Sequence, residues 1–144
     1  AASEMQAQGT GYIVASVGEA AGDMPFTAFS AKQSYIDENP DKIQAFCNAI
    51  ARAIEYVYKT DSEEIARLIS PSFAGSDIAT LANAIQAYKD IGAYSPTLVP
   101  DAEDFDRLQD VIIEAGVMDS KIDFDKIVDL SFAEKATEYA RSLA

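Results

Sequence analysis

Carboxylates are the abundant reactive groups in this sequence: 24 aspartates and glutamates stand against 11 lysines and arginines, with no histidine and one cysteine. Acid–base catalysis needs two such groups held in unlike environments within one cleft. The pairs Glu63/Glu64, Asp104/Asp106 and Asp123/Asp125 fall instead where helices begin, and negative charge there complements the helix dipole. The run DSKIDFD sets Asp119, Asp123 and Asp125 at part of the spacing of a calcium loop, but it lacks the central glycine and the terminal glutamate. Cys47 has no histidine to activate it and no second cysteine to pair with, and it lies on the apolar face of a helix, so it reads as an inert buried thiol. A zinc or iron ligand set, a Gly-rich phosphate loop and a serine nucleophile elbow are all missing from the pattern, so neither a metal nor a cofactor is expected.

Binding chemistry has one better candidate. Residues 12–17, YIVASV, form an apolar β-prone run bounded by glycines and apolar on both faces. Such a strand is expected in the middle of a parallel sheet with helices on either side. The loop after it, GEAAGDMP at residues 18–25, then lies past the strand's C-terminal end, where ligands bind in open α/β sheets. Asp23, Met24 and the ring of Phe26 would face that crevice; a plain connecting loop is the other reading of the same residues. A second short strand is expected over residues 26–30.

The elements that would position this loop are mostly helical. Asn39-Pro40 is a helix start, with Asn39 placed to cap and Pro40 at the first helical position. Ile43, Cys47, Ile50, Ile54 and Val57 then recur at steps of four and three and line one face of the longest helix, widened by Phe46 and Ala53. Asp61 opens a helix over residues 62–69, with Glu64 set for a capping box and Pro71 as the stop. Ser76 or Asp77 starts the next, broken at Gly92, and SPTLVP is an extended connector. Asp101 caps a helix closed at Gly116, a natural left-handed cap. A short helix and a final one complete the chain, with Phe132, Ala136 and Tyr139 facing inward.

At 144 residues, 49 % hydrophobic and 24 % charged, the chain has single-domain length and globular composition. Its formal charge of −13 repels phosphate backbones and anionic lipid surfaces, so no nucleic-acid partner is expected. No apolar run is long enough to span a bilayer. Two strands cannot make the sheet that a doubly apolar strand requires, because its edges and faces would lie uncovered. Either another chain supplies the missing strands or this is the C-terminal portion of a longer protein. The opening AASEMQAQG reads as a helix already under way, which favours the second alternative.

The run from Tyr12 through Val57 resembles the second half of ABC-importer substrate-binding proteins of the nitrate/sulfonate/taurine and thiamine-pyrimidine type. The features that carry the resemblance are the apolar run at 12–17, Met24-Pro25-Phe26, Lys32, Asn39-Pro40 with the long helix, the capped start at Asp61, the proline connector, and the ending FDKIVDLSFAEKA. It implies a helix-dominated α/β fold, the C-terminal portion of a two-lobed periplasmic-binding-protein-like architecture whose cleft closes on a solute. Residues 1–30 would be the strand-containing return between lobes, and residues 31–144 the helical C-terminal part of the same domain. The function implied is capture of a sulfonate, nitrate-like or pyrimidine-like molecule, without catalysis, for an ABC permease. The place is extracytoplasmic, in a periplasm or lipid-anchored at the cell surface. Asp23, Met24 and Phe26 would border the ligand, and Ser3, near the inter-lobe crossing, joins them. The family's usual aromatic before the proline is Met24 here, which leaves the solute class open. Two alternatives stand beside this one: a pyrimidine-synthase-like enzyme of the same fold, and a helical protein-interaction module. The chain by itself is expected to self-associate through its uncovered strands.

Overall fold

The computed structural model describes residues 2–15, 17–25 and 27–143, apart from the side chains of residues 3, 4, 7 and 19. The regular elements among them are helical: α1 (Ala2–Ala7), α2 (Val17–Ala21), α3 (Gln33–Glu38), α4 (Pro40–Lys59), α5 (Ser62–Ile69), α6 (Ile78–Asp90), α7 (Ala102–Glu114) and α8 (Ser131–Ser142), with 3-10 turns at Ser70–Ser72 and Phe124–Lys126. The chain divides into two units, one of Ala1–Ala21 with Ala53–Pro96 and the other of Gly22–Arg52 with Thr97–Ala144. The chain passes between them three times, once within α4.

In the first unit, α5 and α6 pack as an antiparallel pair joined by the 3-10 turn. Asp61 accepts the Glu63 N–H at 2.8 Å and starts α5. Glu64 does not reach back as a capping box would; its carboxylate accepts the Tyr56 hydroxyl at 3.2 Å. Asp77 starts α6, taking the Thr80 N–H at 2.7 Å and its hydroxyl at 3.1 Å. Gly92, at φ 66°, ends it in the left-handed conformation that a side chain resists. Between the helices lie Ile65, Ala66, Leu81 and Ile85, flanked by Val57, Ile69, Ile78 and Ala82. Buried Ser62 donates to Gln86 Oε1 at 2.8 Å, so the polar atom inside this contact is satisfied.

The second unit is built on small residues. Ala51 of α4 meets Ala136 and Ala140 of α8, with Cys47 and Leu98 packed against them, and Gln44 Nε2 donates to the Phe132 carbonyl at 3.1 Å. The stripe expected on α4 is present, but Ile43, Cys47, Ile50, Ile54 and Val57 are half-buried; the buried residue of this helix is Ala51. Asn39 starts α4 through its backbone carbonyl, while its side-chain oxygen takes Lys42 Nζ at 3.0 Å rather than a first-turn N–H. Asp101 caps α7 through the Glu103 N–H at 2.7 Å, and Gly116 closes it at φ 70°. Gln109, 3 % exposed, exchanges two bonds with one residue of the loop after α7: its oxygen accepts Ile122 N–H at 2.7 Å and its nitrogen donates to Ile122 O at 3.2 Å.

The strands expected at 12–17 and 26–30 do not form among the described residues. Residues 12–15 are irregular, with Tyr12 and Val14 exposed at 82 % and 94 %, and Val17 opens α2 instead. The Ile13 N–H goes to Gln6 Oε1 at 3.0 Å, not to a neighbouring strand. Phe29 is also exposed and rests edge-on against Phe46. A strand is completed by its neighbours' hydrogen bonds, and nothing among the described residues offers an edge to pair with. Over those residues the chain is therefore helix-dominated, without the sheet of a two-lobed α/β fold.

Two outcomes test this packing. Ile85→Ala should cost about 2–5 kcal/mol, read as lost hydrogen-exchange protection confined to α5 and α6. Asp77→Ala should weaken the same helix pair at neutral pH. The Thr80 N–H, then its hydroxyl, hold the Asp77 carboxyl below the usual carboxylate range. Its stabilisation is thus present above the unfolded carboxylate's titration and is lost as pH falls through the folded one. The gap between wild type and variant should close in acid, as measured by urea denaturation at stepped pH.

Candidate functional site

The first half of the loop expected over residues 18–25 is helical instead, since residues 18–21 belong to α2, and the rest leads directly out of that helix. Gly22 leaves that helix at φ 78°, a conformation that turns the chain sharply and favours glycine. Asp23 comes next, exposed, and then Met24 and Pro25, both half-buried. The loop is tied down from a distance. Arg107 of α7 donates through Nη1 to the Asp23 carbonyl, and the same nitrogen pairs with Asp104 Oδ1 at 2.9 Å. A Cβ added at position 22 would meet the Arg107 guanidinium at 3.8 Å, an ordinary contact, so it is the positive φ and not lack of room that favours glycine there.

The structure thus places Asp23 and Met24 together on an anchored turn. Phe26 lies outside the described residues, and so does the Ser3 side chain; the Ser3 backbone belongs to α1, in the other unit. Arg107 was not singled out by sequence reasoning. Its only sequence signal is its place three residues after Asp104, which marks a helical ion pair and says nothing of residue 23.

What this loop offers is contact chemistry: one exposed carboxylate, a polarisable thioether and a fixed backbone. The Ser131 hydroxyl and N–H hold Asp129 low; Asp110, then Asp106, hold Lys121 high; burial, with Tyr88 and Tyr58 nearby, raises Tyr94. Among the described residues no group of three histidines, cysteines or carboxylates could hold a metal ion. An open depression of about 420 Å³ in the second unit is lined by Thr97, Val99, Glu134, Thr137, Glu138 and Arg141. It joins the proline connector to α8, and no local spacing could have revealed it. Thr137 already donates to the Ala133 carbonyl at 2.9 Å and stands 3.4 Å from the Thr97 hydroxyl, so these two hydroxyls on its wall are already engaged.

Cys47 is half-buried, and burial first, then the Asp129 charge, raises its thiol above the ordinary value. A thiol shifted upward holds little thiolate at neutral pH. Iodoacetamide should therefore modify Cys47 slowly at pH 7.5. Asp129→Asn should speed the reaction by removing the nearby negative charge, as followed by mass spectrometry over time.

No family model matches the chain, and no solved structure matches it. It is similar to a Bacillus subtilis (strain 168) protein named "Putative binding protein YtlA", with 33 % identity over 136 residues that cover 94 % of this chain and 41 % of that protein. The similarity is therefore to a binding protein, and the chain spans about two fifths of its length.

Proposed function

We propose that this chain is part of a solute-binding protein of an ABC importer, one that captures a sulfonate, nitrate-like or pyrimidine-like molecule and presents it to a membrane permease. The observation that carries the reading is the similarity along 94 % of the chain to a binding protein in which it accounts for only 41 % of the length. The residues that resemble the importer family, from the apolar run at 12–17 through Asn39-Pro40 to the ending after Phe124, extend that likeness to a transport class. The absent strands lend it no support. On this reading residues 12–17 find their β neighbours in a part of the longer protein outside this sequence, and the exposure of Tyr12, Ile13 and Val14 here is what such a segment has when alone. Residues 1–30 then return between the lobes and residues 31–144 complete the helical side.

In this assignment Asp23, Met24 and Phe26 border the solute, Ser3 joins them from the inter-lobe crossing, and the protein works extracytoplasmically. No reaction is required of it. A chain without histidine fits capture and release better than turnover.

A thermal-shift screen of the full-length protein tests the proposal directly, with nitrate, taurine and longer alkanesulfonates, and aminopyrimidines as three separate arms. One class should raise the melting temperature in a concentration-dependent way, since a ligand at 100 times its Kd adds about 2.7 kcal/mol of stability. Stabilisation by none of the three would overturn it.

A further inference from the structure

Arg107 bridges parts of the sequence that have no local reason to meet. It reaches from the second turn of α7 to the carbonyl of Asp23, 84 residues earlier. Three features converge there. Gly22, at φ 78°, turns the chain beside the guanidinium, which an added Cβ would meet at 3.8 Å. Asp104, one turn earlier on α7, fixes the same nitrogen at 2.9 Å. The side chains of Arg107 and Asp104 are 42 % and 31 % exposed, so the pair is partly shielded rather than free in solvent. A hydrogen bond from a charged donor to a peptide carbonyl is stronger than a neutral one, and here its charge is balanced by a carboxylate that also orients it.

We infer that Arg107, oriented by Asp104, is a positioning residue that sets the conformation of the solute-contacting turn at Asp23 and Met24. This rests on the solute-binding reading above. Arg107 need not touch the solute. It determines where the Asp23 carboxylate and the Met24 thioether stand when a solute arrives, and so how much ordering of the loop binding must supply. Its paired state argues against a direct anion contact, because the guanidinium charge already faces Asp104.

The position also explains which changes should matter. Methionine in place of Arg107 keeps an unbranched stem against Gly22 and loses both the donor and the charge. Lysine keeps a charged donor within reach of one acceptor but not the planar fork. Asp104→Asn keeps an acceptor and removes its charge.

The experiment uses the full-length protein with methyl-labelled methionine, the Met24 signal being assigned through Met24→Leu. Without added solute, Arg107→Met should shift and narrow the Met24 methyl resonance, as expected of a released turn, and Arg107→Lys should return it most of the way. Asp104→Asn should fall between. Affinity is then measured by calorimetry with taurine, nitrate and an aminopyrimidine. For whichever probe the wild type binds, Arg107→Met should weaken binding about tenfold or more, and Arg107→Lys should recover part of it. An unchanged Met24 signal, or wild-type affinity in Arg107→Met, overturns the inference while leaving the solute-binding reading standing. If the wild type binds none of the probes, the solute-binding reading fails and the assigned role of Arg107 falls with it, whatever the Met24 signal does.

Discussion

Burial of apolar surface is the constraint on which this structure depends, and it is met sparingly. The buried apolar residues among those described are Ala51, Ile65, Ala66, Leu81, Ile85, Ala136 and Ala140, so four of the seven are alanine. At about 25 cal/mol per Å² of apolar area, an alanine contributes far less than a leucine or phenylalanine. What it permits is close approach, so Ala51, Ala136 and Ala140 bring α4 and α8 together. The larger side chains, Tyr12, Val14, Val17, Phe29, Leu68 and Val117 among them, stand in water. Single exposed hydrophobes are ordinary, but Tyr12, Ile13 and Val14 are consecutive, and consecutive exposed apolar residues normally have a surface to cover them.

The helix boundaries were legible because capping is local chemistry. Asp61, Asp77 and Asp101 each take a backbone N–H of the helix they precede, and Gly92 and Gly116 end theirs with positive φ. Each signal lies within a few residues of its effect. The phase of α4 was equally readable, since Ile43, Cys47, Ile50, Ile54 and Val57 do share the inward side. Its depth was not. How far a stripe is buried depends on what faces it, and α8 arrives some ninety residues later with alanines rather than large side chains.

The strand at 12–17 failed for the same reason in a stronger form. A short apolar, β-prone run describes what a segment tolerates, while a sheet exists only where partners supply hydrogen bonds. In the candidate site the turn itself was visible, from Gly22 and Pro25, and its chemistry from Asp23 and Met24. The arginine that anchors it was not, because the contact joins residues 23 and 107 and leaves no periodic trace.

Gln109 carries a consequence of its own. Its amide satisfies both polar groups of a single residue, Ile122, and so closes the chain leaving α7 into a ring sealed by one side chain. Few replacements could take over. Glutamate would bring a buried negative charge against the Ile122 carbonyl, and asparagine is a methylene too short. The span between Gly116 and Ile122 is thereby closed at both ends, so an insertion ahead of Lys121, which pairs with Asp106 and Asp110, would lengthen a closed bight and leave the junction of α7 with the chain beyond Ile122 in place.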